Sequence, residues 1–428
     1  MTKAVRIGML GCGNVGGALV SLLSREADDI EARTGIRLEI TRVAVRDLSK
    51  PRPPELDVSV LTTDTMELVT ADDVDVIVEI MGAVDPADEL LRTALAAGKP
   101  VVTANKELLA TRGLELFEAA ARAGRDLLFE AAVAGGIPLI RPLRESLAGE
   151  PIVRIMGIVN GTTNFILTRM TEDGATYADA LAEAQRLGYA EPDPTADVGG
   201  FDAGAKVAII ASIAFGVGVA LEDVYCEGIT QVTATDIAFA QRLGYVVKLL
   251  GIAEMIDGQV AVRVHPAMVP ATHPLASVRD SFNAVFIEGE AVGELMLYGR
   301  GAGALPTSSA LLGDLIDAAH NLSIGGTGRA PVLAPAKLRS VDELRSQYYL
   351  ALDVADKPGV LAAVAGVLGG HGVSIQSMEQ QGLGDEARLV FITHVAKEAD
   401  VQATLTDLKA LDAVRSIGGI LRVIGDER

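Results

Sequence analysis

The sequence predicts an α/β protein in three parts, and three patterns support that prediction. Over residues 1–132, short aliphatic runs alternate with amphipathic stretches, as in repeated strand–helix units. Residues 133–320 combine glycine-rich turns, long helices and a few strands, which is typical of an α+β domain. Residues 348–428 follow the order strand, helix, strand, strand, helix, strand. A chain of 428 residues is also too long for a single core.

The first part begins with an aliphatic strand at residues 5–10 and a helix at 15–27. Further aliphatic runs predict strands at 38–45, 74–79, 100–103 and 127–132. Because strands alternate with helices, we expect a parallel sheet covered on both faces.

The middle part shows strand patterns at 152–159, 261–264 and 283–287 and a helix at 308–320. Residues 321–347 mix Gly, Pro, Arg and Ser without clear periodicity, which predicts a linker. The tail predicts strands at 348–354, 373–379, 387–394 and 419–423, with helices at 359–369 and 401–411. This split βαβ order indicates a separate ferredoxin-like module.

Composition excludes several classes of protein. The net charge is −20, from 37 basic and 57 acidic residues, and the basic residues form no run. We therefore expect no nucleic-acid partner, because phosphate binding needs clustered Lys and Arg. The most extended apolar stretch, 207–221, is too short to span a membrane, and the first residues show no leader pattern. Two cysteines, Cys12 and Cys226, are too few for a disulfide framework or a zinc cluster. These features predict a cytoplasmic protein.

A glycine-rich loop joins the first strand to the first helix and consists of Gly11, Cys12, Gly13, Asn14, Val15 and Gly16. The three glycines permit a tight turn, close approach of the backbone to a pyrophosphate, and helix–strand packing. The helix N-terminus supplies amide donors for the phosphates. A merely structural turn is the alternative. In this strand–loop–helix context, the motif predicts a Rossmann-type dinucleotide-binding domain.

Two other positions bear on the cofactor. The second strand ends in Arg46-Asp47, with Lys50 close behind. Arg46 suits the 2′-phosphate of NADP, and Asp47 suits the ribose of NAD, so NADP or NAD is expected, with a preference for NADP. Lys106 follows a strand whose carboxyl end borders the expected cofactor crevice. For Arg46 and Lys106 alike, a solvent-exposed position without function is the alternative.

The segment 191–206 contains four carboxylates and one lysine in 16 residues. Its prolines exclude a helix at the start, and an apolar helical pattern begins after Gly200. Asp202 and Lys206 then lie four residues apart on one face of a mostly apolar helix. A surface ion pair is the ordinary interpretation. Burial would instead make Lys206 a tunable proton donor and acceptor beside carboxylates.

Three glycine-rich loops remain open to two interpretations each. The loops at 130–138 and 160–164 could direct carbonyl oxygens towards a monovalent cation, or could simply be sharp turns. The loop at 298–307 precedes a helix, so it could face an anion or pack closely.

Together these motifs resemble homoserine dehydrogenases that carry a C-terminal ACT domain. The resemblance covers nearly the whole chain, because the loops at 11–16, 103–106, 134–138 and 160–164 and the segment 191–206 occur in the order of that family. Cys12 stands where the family often has Leu or Phe. The resemblance implies reversible NAD(P)-dependent interconversion of L-homoserine and L-aspartate 4-semialdehyde. It implies a Rossmann domain at 1–132, a substrate-binding and dimerisation domain at 133–320, and an ACT domain at 348–428.

The resemblance also assigns roles to residues. Lys206 would be the proton donor and acceptor, and Lys106 would lie beside cofactor and substrate. Glu191 would bind the substrate ammonium group, while Asp197 and Asp202 would orient substrate and lysine. Gly303 would lie near the nicotinamide. A sodium ion would be held by the carbonyl oxygens of Glu130, Val133, Gly135 and Ile137.

The tail would sense an amino acid, with threonine as the leading candidate. The effector loop implied by the resemblance comprises Asp356, Pro358, Gly359, Val360 and Leu361. ACT domains usually bind effectors where two copies meet, so a homodimer or homotetramer is expected.

Two other functions are compatible with a dinucleotide-binding domain. An aldehyde dehydrogenase acting on the same semialdehyde would need an activated thiolate, which neither Cys12 nor Cys226 suggests. A non-catalytic NAD(P)-binding sensor would not need Lys106, Glu191 and Lys206 together.

Overall fold

The structure, a computed structural model, describes residues 4–328, 331–382 and 384–425. In these residues the helices are α1 (Asn14–Thr34), α2 (Thr65–Thr70), α3 (Ala87–Ala96), α4 (Lys106–Ala123), α5 (Ile140–Arg144), α6 (Gly161–Glu172), α7 (Tyr177–Arg186), α8 (Thr195–Val198), α9 (Phe201–Phe215), α10 (Ala234–Arg242), α11 (Ala304–Ser323), α12 (Val360–Gly370) and α13 (Glu398–Lys409).

The strands are β1 (Val5–Leu10), β2 (Leu38–Ala44), β3 (Leu61–Thr62), β4 (Val76–Glu79), β5 (Val101–Thr103), β6 (Leu127–Leu128), β7 (Ile152–Ile158), β8 (Val217–Gly218), β9 (Tyr225–Cys226), β10 (Tyr245–Ile256), β11 (Gln259–Pro270), β12 (Phe282–Gly289), β13 (Gly293–Arg300), β14 (Ala334–Pro335), β15 (Arg345–Ala355), β16 (Ile375–Gly382), β17 (Glu386–Thr393), β18 (Ala396–Lys397) and β19 (Val414–Val423).

The chain divides into two compact units, each built from separate stretches of sequence. The first unit comprises Met1–Val153, Ala205–Val224 and Ile287–Ala336. The second comprises Arg154–Gly204, Tyr225–Phe286 and Lys337–Arg428. The domain limits at 132, 320 and 347 stay predictions, because each of the two compact units combines three separate stretches of the chain and so does not correspond to one continuous domain.

The first unit contains a six-stranded parallel sheet in the order β3-β2-β1-β4-β5-β6. This order, with β1 central, confirms the predicted doubly wound dinucleotide-binding fold. Its central strands are apolar, with Ile7 and Met9 fully buried. Helix α11 also joins this core, because Leu311 and Leu315 pack in the same buried cluster as Leu19 of α1.

The second unit contains a sheet in which seven strands follow the order β7-β10-β11-β19-β15-β17-β16. Strands β10 and β11 form a long antiparallel pair over their full lengths. Strands β9 and β19 both run parallel to β11 and occupy successive positions along it. Residues 225–226 of β9 pair with 263–264, and residues 422–423 of β19 pair with 267–268.

The tail folds as β15-α12-β16-β17-α13-β19, with the strand order β19-β15-β17-β16. This antiparallel order is that of the ferredoxin-like fold, which confirms the prediction. Its own core contains the apolar residues Tyr348, Leu350, Leu352, Val364, Leu368, Phe391 and Leu405. A short strand, β18, also pairs with the start of β15.

Several elements differ from the sequence-based expectation. The predicted strand at 127–132 is a two-residue strand followed by a 3₁₀ turn at Glu130–Ala132. Strand β10 was not predicted, and β11 is far longer than 261–264. Both strands are buried throughout their centres, so their apolar runs lack the alternation that marks a half-buried strand. Within the predicted linker, α11 continues to Ser323 and β15 begins at Arg345.

Candidate active site

The glycine-rich loop has the geometry that a dinucleotide phosphate needs. Gly11 has a φ of 103°, in the region that favours glycine, and Gly13 is the N-cap of α1. A side-chain carbon added at Gly16 would lie 2.8 Å from Ile80 Cδ1, so only glycine lets α1 approach there. A carbon added at Gly13 would meet nothing within 4 Å. The space beside Gly13 is therefore open, and Asn14 and Val15 begin the helix whose amides face it.

The residues predicted to bind the 2′-phosphate of NADP lie on an exposed turn. Arg46 and Lys50 are both exposed after β2. Sequence reasoning missed Arg52, which donates through Nη1 to the carbonyl of Cys12 and through Nη2 to the carbonyl of Asp47 over 3.0 Å. Arg52 thus ties the turn after β2 to the glycine-rich loop.

A buried carboxylate organises the ends of β4 and β5. Glu79 accepts a 2.6 Å hydrogen bond from Thr103 Oγ1 and a 2.7 Å bond from the amide of Met81. Burial raises the pKa of the Glu79 carboxyl, although these hydrogen bonds oppose the shift. Asn105 caps α4 by accepting from the amide of Leu108. The result is that Lys106, partly buried, occupies the first position of α4, at the carboxyl end of β5.

The loop at 130–137 is held from several sides. The Glu130 carboxylate accepts from the amides of Leu139 and Ile140, at 2.6 and 2.8 Å. The amide of Glu130 donates over 2.8 Å to Asp314, and burial raises the pKa of that carboxyl to about 7.

This loop also lies against the segment that contains Gly303, the residue predicted to lie near the nicotinamide. Gly135 has a φ of 45°, and a side-chain carbon there would overlap the carbonyl of Gly301. Gly303 has a φ of 123° and is the N-cap of α11. The turn at Gly135, between Val133 and Ile137, therefore packs closely on the loop that precedes α11.

In the acidic segment, the helix begins where the sequence predicts. A short helix, α8, was not expected after the prolines, and Pro194 is its N-cap. Helix α9 then begins at Phe201, which places Asp202 in its first turn and Lys206 one turn later. Asp202 is buried and Lys206 is partly buried, so a freely solvated surface pair does not describe them.

Asn160 brings two of the predicted carboxylates together. Its side-chain amide donates to Asp197 Oδ1 over 2.6 Å and to Asp202 Oδ2 over 2.8 Å. Its Oδ1 accepts from the amide of Thr163, which caps α6. Asn160 is itself buried, so its amide orientation is fixed on both sides. The sequence marked this loop only as glycine-rich and polar.

Glu191 lies apart from this hydrogen-bonded group. Its side chain is exposed, and its carbonyl accepts from Gln185 Nε2 over 3.1 Å. Asp193, nearby, is occupied by the amide and hydroxyl of Thr195. Of the two exposed carboxylates in this segment, Asp193 is bonded to Thr195, whereas Glu191 is not.

The predicted effector loop is exposed at the start of α12. Gly359, with a φ of 90°, is the N-cap of that helix. Asp356 and Pro358 are exposed, Val360 is partly buried, and Leu361 is 37% exposed. The turn is closed by the amide of Val360 bonding to the carbonyl of Lys357 over 3.3 Å.

Other features limit the chemistry of the described residues. Burial raises the pKa of the Cys226 thiol to about 11, so this cysteine is not an activated nucleophile. Among residues 4–328, 331–382 and 384–425, no group of three or more His, Cys, Asp or Glu side chains is arranged to hold a metal ion. None of the helices in those ranges combines the length and apolar character needed to cross a bilayer.

Family models match three successive regions of the chain. The description "Homoserine dehydrogenase, NAD binding domain" matches residues 11–130. "Homoserine dehydrogenase" matches 138–316, and "ACT domain" matches 348–413. The matched regions contain the glycine-rich loop, the acidic segment and the exposed loop before α12, respectively.

Full-length relatives agree with these matches. A homoserine dehydrogenase of Corynebacterium glutamicum is 48% identical, over 99% of this chain and 96% of the relative. The crystal structure of a homoserine dehydrogenase from Thiobacillus denitrificans is 40% identical, with a TM-score of 0.92, and covers 99% of this chain and 98% of its own. That of S. aureus homoserine dehydrogenase is 33% identical, with a TM-score of 0.79, and covers 99% and 100%. The chain belongs to the homoserine dehydrogenase family of oxidoreductases, in the form with an NAD-binding domain, a catalytic domain and a C-terminal ACT domain.

Proposed function

We propose that this protein catalyses the reversible NAD(P)-dependent interconversion of L-homoserine and L-aspartate 4-semialdehyde, within threonine, methionine and isoleucine biosynthesis. One observation carries the proposal. Asn160 holds Asp197 and Asp202 together at the start of the helix on which Lys206 follows one turn later. Carboxylates and an amine on adjacent turns are the groups that oxidation of an amino-acid alcohol requires.

The residues divide the work between binding and proton transfer. Lys206 takes the hydroxyl proton when homoserine is oxidised and returns it in the reverse direction. Asp202, one turn earlier on α9, orients the lysine, and Asp197 orients the substrate. Exposed Glu191 pairs with the substrate ammonium group, and Lys106 lies beside cofactor and substrate. The bound nicotinamide supplies the hydride acceptor, and no covalent nucleophile is needed.

The cofactor is proposed to be NADP in preference to NAD. Arg46 and Lys50 are exposed side chains on the turn after β2, where the 2′-phosphate lies in this fold. The open space at Gly13 and the amides of α1 fit the pyrophosphate.

A sodium ion is proposed at the loop 130–137, on the carbonyl oxygens of Glu130, Val133, Gly135 and Ile137. The left-handed residues Ala134 and Gly135 turn the chain sharply there. Carbonyl oxygens are ligands that hard cations accept, and such a site does not depend on clustered acidic side chains.

The ACT domain is proposed to bind threonine as a feedback effector. Asp356, Pro358, Gly359, Val360 and Leu361 form the exposed turn and first helical residues at which an amino acid would bind. Pairing of two ACT domains at this surface would make the enzyme at least a dimer, and a homotetramer is the other assembly expected.

The direct test is homoserine oxidation with Lys206 variants. Lys206→Ala should reduce turnover by about 10² to 10⁴-fold while cofactor affinity stays near that of the wild type. Lys206→Arg is the matched control, because it keeps the charge but not a titratable amine. If Lys206→Arg restored most of the turnover, Lys206 would act only as a charge. No homoserine oxidation by the wild type would contradict the proposed function itself.

A further inference from the structure

Arg422, in the last strand of the ACT domain, is bound to two carboxylates from different parts of the second unit. Its guanidinium donates to both oxygens of Glu398, at 2.9 and 2.8 Å, and to Glu227 Oε2 at 2.7 Å. The Arg422 side chain is only 3% exposed. Tyr348 completes the group by donating to Glu398 over 2.7 Å. A buried guanidinium with this fork geometry fixes its partners in both position and angle.

The Glu227 end of this cluster belongs to the segment that follows β9. The amide of Glu227 bonds to the carbonyl of Val264 over 2.8 Å, which extends the pairing of β9 with β11. Strand β19 pairs with β11 three residues further along, at Ala267. Arg422 therefore joins the two strands that lie end to end along one side of β11.

The same segment touches the turn between the two candidate carboxylates. The amide of Ile229 donates to the carbonyl of Val198 over 2.8 Å. A side-chain carbon at Gly228 would overlap that carbonyl, and one at Gly200 would lie 3.3 Å from the carbonyl of Glu227. The backbone of 227–229 is thus in direct contact with residues 198–200. Residues 198–200 connect Asp197 to the first turn of α9, which carries Asp202.

We infer that Arg422 is a positioning residue for the substrate site: it fixes Glu227, and through the backbone of 227–229 it fixes the turn that sets Asp197 and Asp202. The inference rests on the proposed function, because it takes these two carboxylates to orient homoserine and the lysine. It assigns the C-terminal strand a part in substrate binding that does not depend on an effector. A small displacement of reacting groups has a large effect on rate, of the order of a hundredfold for about 1 Å.

The test compares full-length Arg422→Lys and Glu227→Gln with the wild type in homoserine oxidation. Lysine keeps the charge but cannot hold both carboxylates, and glutamine keeps the size of Glu227 without its charge. Each variant should lower kcat/KM for homoserine about tenfold to a hundredfold. The KM for the cofactor should change little in either variant. The thermal unfolding midpoint should change little in Glu227→Gln, whose side chain is about one-third exposed, whereas Arg422→Lys should lower it because Arg422 is buried. The double variant should be no worse than the more impaired single variant, because both changes break one connection.

The matched control is Arg388→Lys. Arg388 makes a similar two-pronged bond to Asp353, at 2.7 and 3.0 Å, and this bond joins β17 to β15 within the same ACT sheet rather than joining the sheet to Glu227. It should leave kcat/KM for homoserine within about twofold.

The outcomes separate the two proposals. If the wild-type enzyme did not oxidise homoserine, the proposed function would be wrong. An active wild type whose Glu227→Gln variant is folded and keeps its kcat/KM would overturn the role of Arg422, even if Arg422→Lys failed to fold. Equal losses in Arg388→Lys and Arg422→Lys would also overturn it, since they would reveal a general effect of weakening the ACT sheet.

Discussion

The side-chain amide of Asn160 donates a 2.8 Å hydrogen bond to the carboxylate of Asp202, which lies 42 residues later in the chain. The same nitrogen reaches Asp197 over 2.6 Å, so one amide holds two acidic groups side by side. Two ionised carboxylates held close together repel each other, and the hydrogen-bond donor that they share offsets part of that repulsion.

Replacing Asn160 with serine should separate its two roles. Serine is a good N-cap and should keep α6 intact, but it is too short to hold both carboxylates. We expect kcat/KM for homoserine to fall by roughly 10 to 150-fold, the range of a charged hydrogen bond, with little change in thermal stability. Asn160→Ala, which also removes the cap, should in addition lower the unfolding midpoint. Unchanged kinetics in Asn160→Ser would show that the carboxylates are positioned without this amide.

Glu191→Gln should mainly raise the KM for homoserine, because it removes the ionic partner of the substrate ammonium group. The expected increase is roughly 10 to 150-fold, with a smaller effect on kcat. Asp193→Asn is the matched control, since Asp193 is also exposed but is bonded to Thr195. The measurement is the steady-state KM for homoserine of both variants. Similar KM values for the two would show that Glu191 does not bind the substrate ammonium group.

Arg46→Ala should weaken NADP more than NAD, because only NADP carries the 2′-phosphate. Loss of a charged hydrogen bond predicts roughly a 10 to 150-fold rise in the KM for NADP. Arg52→Ala provides the comparison, because Arg52 holds the carbonyl of Cys12 in the loop that both cofactors would use. It should affect the two cofactors alike. An equal response of both cofactors to Arg46→Ala would place that side chain in solvent.

Lys248 should make stability depend on pH in the alkaline range. It is buried on β10, bonds to Asn164 Oδ1 over 3.1 Å, and has its pKa lowered by burial to about 8 from an ordinary 10.5. Between these two pH values, the unfolded chain holds more protons at this lysine than the folded chain. The free energy of unfolding should therefore rise with pH across that window, by about 3 kcal/mol from this group.

Denaturant unfolding at pH 8 and pH 10 measures this contribution. Lys248→Met is the matched variant, because it keeps the length of the side chain without the titrating group. The difference in stability between wild type and variant should shift in favour of the wild type as the pH rises. A difference that stays constant would mean that Lys248 titrates alike in both states.

Threonine at millimolar concentration should change the activity of the full-length enzyme. The coupling expected between effector and substrate corresponds to about 5 to 150-fold in affinity. Asp356→Ala, in the exposed loop before α12, should weaken the response, whereas Asp412→Ala, exposed elsewhere in the same domain, should not. An enzyme indifferent to threonine would contradict the assignment of this amino acid as effector.

The parts of the fold with local signals were predictable from the sequence. The loop at Gly11, Gly13 and Gly16 requires glycine for reasons contained in six residues, and the helix that carries Asp202 and Lys206 follows from apolar periodicity. The ferredoxin-like tail also has short elements separated by clear turns. In each of these cases the residues that determine the structure are close in sequence.

The remaining parts depend on partners that are distant in sequence. Asn160 lies in a loop that the sequence showed only as glycine-rich and polar, and nothing nearby indicated that its amide would reach Asp202. Arg422 and Glu227 are 195 residues apart, and their pairing depends on β19 joining β11. Strand β10 was missed because a strand buried on both faces has an apolar run similar to that of a buried helix. Such contacts are set by tertiary packing rather than by local preference.

The parallel pairing of β19 with β11 has a consequence for how this protein could gain or lose its tail. A domain that only trails behind a linker can be removed by a single stop codon. Here the last strand supplies main-chain partners to Met268 and a guanidinium to the partly buried Glu227, so a shortened chain would leave Glu227 without its cation and one side of β11 uncovered. Loss of the tail would therefore need compensating substitutions in β11 and around Glu227. If the loop before α12 binds an effector as proposed, single replacements in that loop should abolish the response with less damage to the fold than deletion of the tail.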